Sequence, residues 1–183
     1  MAEDYLVRHC APTLAGLKTG SLFLCPYCHM DELMHALRRI NRRLRSKGLL
    51  VLPLRISGEK ALIYAYRPRK LRQDFSKDDA AELLRQFGYD PANCAQCVAR
   101  LGRRIRQHRD FPHEIGLFLG YPVEDVRGFI NQGPCGCKCT GCWKVYGDEA
   151  AARKTFACYK KCTRVYCSQW AKTGDIDRLT VAV

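Results

Sequence analysis

Apolar residues recur at Met30, Leu33, Met34, Leu37, Ile40 and Leu44, the three-and-four spacing of one helical face. Asp31 and Glu32 fall in the first turn of that segment, arginines fill its last turns and Gly48 follows as a stop, so 30–44 is predicted to be an amphipathic helix. The short apolar run 21–24 before it predicts a strand. Residues 5–20, punctuated by Pro12 and Gly16, predict irregular or briefly helical chain. The pattern then becomes strand-like in "LLVLPLRI" (49–56) and "KALIYAYR" (60–67), with "SGE" between them as a hairpin turn. Pro53 marks the first of these as an edge strand or a bulge, because it cannot donate to a ladder.

Helical spacing returns in "SKDDAAELLRQFG" (76–88), with Ser76 as the expected N-cap and Gly88 as the stop. A further helix is predicted over 91–108, and two short helices over 111–130 meeting at Gly120–Pro122. Residues 131–141 read as loop, 142–147 as a short strand and 148–172 as helix, with Phe156, Tyr159, Cys162, Tyr166 and Trp170 close to one face. The tail "LTVAV" suggests a last strand. The sum is an α+β fold, a small antiparallel or mixed sheet packed with several helices. It is expected to form a single domain over 1–183 with a Cys-rich loop at about 131–142.

The chain has 183 residues, enough for a real core, and no apolar run approaches the roughly 20 residues that span a bilayer. Two acidic residues near the start do not fit a signal peptide, so a soluble cytoplasmic protein is expected. Twelve cysteines change the picture. In a reducing compartment they point to metal ligation, redox chemistry or small buried apolar side chains rather than to a disulfide framework.

Cys25-Pro-Tyr-Cys28 opens the 30–44 helix and is similar to a glutaredoxin active site. A thiolate at a helix N-terminus is stabilised there and the second thiol can resolve a mixed disulfide. The hairpin that follows is foreign to that fold, so half of a metal site and two unremarkable thiols stay open. Cys94 and Cys97 have metal-knuckle spacing and could complete a four-thiolate zinc site. Cys135, Cys137, Cys139 and Cys142 are denser: four thiols within eight residues, loosened by glycines, suit zinc, copper(I) or an iron–sulfur cluster. Cys158 and Cys162, four residues apart, read as core filling. Cys10 and His113 are candidates for a nucleophile and its base, if the fold brings them together.

The net charge of +13 is clustered. "RRINRRLRSK" (38–47), "RPRKLR" (67–72) and "RLGRRIRQHR" (100–109) hold 15 of the 31 Lys and Arg residues. Arg38, Arg39, Arg42, Arg43, Arg103 and Arg104 are therefore candidates to contact nucleic acid or an acidic partner, against the simpler alternative of a solvated face. Tyr64 and Tyr66 beside Arg67 could stack on bases. Residues 114–130 have helix-turn-helix spacing, but Glu124, Asp125, Arg127 and Gly128 would be the exposed positions of the second helix, and two acids facing phosphates repel them.

"HCAPTLAG", "LIYAYRP", "FPHEIGLFLGYPVEDVRGFI", "WKVYG" and "YKKCTRVYC", with a terminal "LTVA", resemble a family of small bacterial proteins known as a domain of unknown function. The resemblance implies a single-domain cytosolic protein, with relatives encoded near flavodoxin-like and iron-acquisition genes. It covers Cys10, Cys162 and Cys167 but not Cys25, Cys28 or Cys135–Cys139. The leading expectation is a thiol- and metal-linked accessory protein of iron or redox metabolism, holding zinc or an iron–sulfur cluster and docking an acidic, flavodoxin-like partner. A nucleic-acid-binding protein and a Cys-dependent redox enzyme are the competing classes.

Overall fold

The computed structural model describes residues 2–107 and 111–182. The chain divides into two compact units. The first takes the chain as far as Lys70 and again from Lys161; the second is Leu71–Lys160.

The first unit is a three-stranded antiparallel sheet covered by helices. Helix α1 (Ala2–Leu14) leads into β1 (Gly20–Pro26), α2 (Met30–Leu44) follows, and β2 (Leu50–Ser57) and β3 (Lys60–Tyr66) form a hairpin. The strand order is β1-β3-β2, with Phe23 opposite Ile63 and Val51 opposite Ala65. The three strands expected between residues 21 and 67 are all present. β2 lies at the edge and its register slips between Pro53 and Arg55, so Pro53 marks both an edge strand and a bulge. The α2 stripe packs Leu33, Leu37, Ile40 and Leu44 on one face of the sheet, together with Leu6, Val7, Cys10 and Leu14 of α1.

Residues 2–14 form a full helix, in place of the irregular or briefly helical chain expected over 5–20. Pro12 falls in its last turn, where only one hydrogen bond of the ladder is lost, and seven residues from Leu6 to Leu14 are buried. Burial outweighs the proline. The tail also departs from expectation. A short α9 (Ile176–Leu179) replaces the terminal strand, and after it Val181 N–H donates to Leu14 O at 3.0 Å. Val183 lies outside the described residues.

Two charged groups organise this unit. Arg43 donates to Asp177 at 2.6 Å, Asp175 at 3.1 Å and Glu3 at 3.3 Å, so α2 is tied to α1 and α9. The hydrogen bond to Asp177 is the main reason its pKa is raised. Arg67, fully buried just after β3, donates among the described residues only to main-chain carbonyls: Thr13, Leu14, Lys47 and Val181 at 2.6–3.0 Å. Tyr64 and Tyr66, stacked on each other at 4.7 Å, are buried in β3 and have no free face for a base.

The second unit is mostly helical. Helix α3 (Pro68–Phe75) runs into it, followed by α4 (Asp78–Gln86) and α5 (Cys94–Gln107). The expected helix over 76–88 begins two residues late. Lys77 is the N-cap, while Ser76 Oγ donates back to Gln73 O at 2.9 Å and so closes α3. His108 and Arg109, the expected end of α5 and of the third basic stretch, lie outside the described residues. Helices α6 (Ile115–Phe118) and α7 (Val123–Gln132) meet at Gly120–Pro122 as expected. A two-stranded ladder, β4 (Cys139–Thr140) with β5 (Lys144–Val145), precedes the long α8 (Glu149–Thr173), which crosses the boundary between the units. Phe118 meets Phe75 and Tyr89 edge-on at 5.0 and 5.4 Å in the core.

Candidate ligand-binding cleft

A cleft of about 540 Å³ opens in the second unit. Phe111, His113, Tyr121, Phe129 and Trp143 supply its rings, and Lys144 its cation. The sequence builds it from two neighbouring pieces, the α6–α7 hairpin and the β4–β5 ladder. Gly116 lets α6 and α7 close up, since a Cβ there would sit 2.7 Å from Val126 Cγ2. Gly128 does the same for the second pair, where a Cβ would lie 2.3 Å from Tyr146 Cγ.

Asp125 locks the pieces together. It is 3% exposed, and its carboxylate accepts from Trp143 Nε1 at 2.6 Å, Tyr146 N at 2.7 Å and Gly147 N at 2.8 Å. The indole of Trp143 is also stacked on Tyr121 at 4.9 Å and meets Phe156 edge-on at 4.5 Å. Tyr121 donates to Cys142 O at 3.3 Å, and burial pushes its pKa up to about 12, so the phenol stays neutral. His113 packs edge-on against Phe129 at 4.9 Å. Its neighbour Glu114 is buried and accepts from Tyr89 Oη at 2.8 Å and Arg104 Nη1 at 3.3 Å.

This geometry revises the helix-turn-helix expectation. Asp125 and Gly128 face inward rather than outward, and Arg127 donates to Glu82 at 2.8 Å. Of the candidate recognition positions only Glu124 is exposed, and it carries the wrong sign for phosphate. Arg43 and Arg104 are likewise committed inside the fold, by the Glu3–Asp175–Asp177 group and by Glu114. Arg38, Arg42 and Arg103 remain exposed, as does Arg39, whose Nη2 is 3.7 Å from Glu3.

The cleft draws on the two blocks "FPHEIGLFLGYPVEDVRGFI" and "WKVYG". A family profile described as "Protein of unknown function (DUF3793)" matches residues 6–180. The chain belongs to the DUF3793 family. No curated protein and no solved structure matches it. The DUF3793 match takes in the cleft and every cysteine of the chain.

Within this DUF3793 chain the thiols are scattered. Cys25 is buried at the end of β1 and Cys28 is exposed ahead of α2; both belong to the first unit, whereas Cys94 and Cys97 belong to the second. Cys97 is buried and donates to Asp90 O at 2.9 Å; burial raises its pKa to about 11. Cys135 and Cys142 are exposed, Cys137 and Cys139 half-buried. Among the described residues no three His, Cys, Asp or Glu side chains are gathered closely enough to hold one ion. Cys158 is exposed and Cys162 half-buried, so the pair is not the core filling expected of it: α8 buries only Ala152.

Cys10 is fully buried in α1, and His113 lies in the second unit. Burial pushes the Cys10 thiol up to about 12, against smaller lowering effects of Lys18 and Ser21. A thiol in that state is no nucleophile near neutrality. It has a consequence for stability. The unfolded thiol ionises near 9.0, so above that pH the unfolded state binds fewer protons than the folded one. The contribution of this thiol to stability is full below pH 9.0 and is lost as pH rises toward 12. By pH ~10.5 the loss should be roughly 2 kcal/mol. Urea midpoints across that range should fall more steeply for the native chain than for Cys10→Ala; equal slopes would refute this.

The sequence-level candidates missed Asp125 as a lock, and Tyr121, Phe129, Trp143 and Lys144 altogether. Their signal was the two family-like blocks, separated in sequence and joined in space. No described helix is long and apolar enough to cross a membrane.

Proposed function

We propose that this protein is a binding protein for a small, planar, anionic aromatic molecule, held in the Trp143 cleft. The observation that carries this reading is the wall of rings around Trp143, whose indole one buried carboxylate holds in place. A volume of about 540 Å³ suits a single small molecule, and flat rings held at fixed angles favour a flat ligand. Lys144 donates to Pro134 O at 3.3 Å and has N–H groups left for an anionic substituent. Only two tryptophans are present, and the other, Trp170, is tied to Asp4 at 3.1 Å. Trp143 is therefore a usable reporter. Titration with flavin mononucleotide should quench it with a Kd of about 10 μM or tighter, that is about −7 kcal/mol, and Lys144→Met should weaken binding about tenfold. No quenching by flavin mononucleotide, or equal quenching in Lys144→Met, would sink the reading.

Beside the cleft, Cys135, Cys137, Cys139 and Cys142 support a thiol or metal role in iron or redox metabolism. Two of the four are exposed on one short segment, the 3-10 turn Gly133–Gly136 and the ladder after it. Zinc or an iron–sulfur cluster would draw the four sulfurs together and order that segment as it bound. The exposed Arg38 and Arg42 support docking of an acidic partner. Protein purified anaerobically should carry at least about half an equivalent of metal, lost in Cys137→Ser; less than that in the native chain removes the metal role and leaves the cleft reading standing.

A further inference from the structure

The Cys25–Cys28 turn sits in a second cleft, about 510 Å³, within the first unit. Its lining includes both thiols, His29 and His35, and Arg39 and Arg42 from the exposed side of α2. Among the described residues Glu32 is the one acid that lines it, and Glu3 approaches Arg39 at 3.7 Å. The cleft is thus cationic, with both cysteines in its lining.

The two thiols are unlike. Cys25 is 2% exposed, with Sγ 3.5 Å from Pro26 O, and burial raises its pKa. Cys28 is exposed, two residues ahead of α2. The order is the reverse of what the sequence suggested, where Cys25 was the attacking thiol. The turn between them is anchored: Tyr27 N donates to Glu59 O at 3.0 Å and Tyr27 Oη to Gly58 O at 2.7 Å. The turn that joins the buried thiol to the exposed one is thus held by both its main chain and its ring.

We propose that this cleft is a thiol–disulfide exchange site for small anionic disulfides of the peptide-thiol class, with Cys28 as the attacking thiol and Cys25 as the resolving one. The Cys28 thiolate attacks one sulfur of the disulfide RSSR. A Cys28–S–S–R bond forms, the original S–S bond breaks, and the departing RS⁻ takes up the proton that Cys28 gave up. Cys25 sulfur then attacks Cys28 Sγ. The internal disulfide forms, and the second RS⁻ leaves with the proton from Cys25. Two thiols of the protein are oxidised and one RSSR is reduced to two RSH; excess RSH runs the sequence backward. Arg39 and Arg42 supply the attraction for the carboxylates of the incoming molecule.

The test uses the full reduced chain, glutathione disulfide as the anionic probe and hydroxyethyl disulfide as the neutral one, with products located by peptide mass mapping. The native chain should form the Cys25–Cys28 disulfide first. Cys25→Ala should stop at a single tripeptide adduct on Cys28, and Cys28→Ala should leave Cys25 unmodified. The double variant Arg39→Ser with Arg42→Ser should slow the reaction with glutathione disulfide about tenfold and leave hydroxyethyl disulfide unchanged. Adducts appearing at Cys135, Cys142 or Cys158 before Cys28, a modified Cys25 in Cys28→Ala, or equal slowing with both probes would each overturn the proposal. Should Cys25→Ala fail to fold, the native chain decides: its rate with glutathione disulfide must fall with salt while its rate with the neutral probe does not.

Discussion

Replacing Arg67 with methionine will destabilise the first unit by about 3–5 kcal/mol, although the change keeps an unbranched apolar stem in the same space. The guanidinium is fully buried and, among the described residues, meets no carboxylate at hydrogen-bond distance. Its counter-charge is instead the partial negative charge at helix C-termini. Thr13 O and Leu14 O end α1, and Lys47 O ends the 3-10 turn Arg45–Lys47. Val181 O belongs to the C-terminal segment, so one side chain gathers three stretches far apart in sequence. Desolvation lowers the pKa of Arg67, yet arginine stays charged at any physiological pH.

Without Arg67, Thr13 O still accepts from Gly16 N and Leu14 O from Val181 N. Lys47 O and Val181 O lose the guanidinium donor, at about 1–3 kcal/mol each, and packing adds the rest. Lysine in the same place should recover only part of the loss, because one ammonium cannot reproduce a planar fork. The measurement is a urea midpoint at constant slope, paired with hydrogen exchange at the Val181 amide. A midpoint change worth less than about 1 kcal/mol would show that the carbonyls find water instead.

Arg67 also shows where the sequence stopped being legible. Within "RPRKLR" it looked like any member of a basic stripe, and the stripe suggested polyanions. Local pattern does announce local structure. The 30–44 stripe became α2 over Met30–Leu44, and Pro53 became an edge-strand bulge, because each depends on neighbours a few residues away. Which arginines are spent inside the fold depends on partners more than a hundred residues distant, as with Arg43 and Asp177 or Arg67 and Val181. Periodicity carries no such information. The same holds for Asp125. Next to Glu124 in a helix it read as a solvated acid, and only the close approach of "WKVYG" over Gly128 makes it a buried acceptor. The cysteines failed in another way. Spacing says which thiols could share an ion but not which are buried, and Cys25 and Cys28, three apart, turned out to face opposite environments.

Two substitutions at Asp125 should separate the cleft from the fold that carries it. Asp125→Ala deprives Trp143 Nε1, Tyr146 N and Gly147 N of their acceptor at once, and should cost about 3–4 kcal/mol together with all flavin mononucleotide binding. Asp125→Asn is more discriminating. Both backbone N–H groups are served by Oδ1, which asparagine retains, whereas the indole N–H is served by Oδ2, which becomes an amide nitrogen. Two donors then face each other across a 2.6 Å contact and must part. The turn survives at a loss of about 1–2 kcal/mol, while the Trp143 ring is released from its place against Tyr121. Trp143 emission should therefore change in the free protein, and affinity should drop about tenfold or more with the stability nearly kept. Were Asp125→Asn to bind as tightly as the native chain, the orientation of Trp143 would not be what the cleft uses, and the buried carboxylate would be a device of the fold alone.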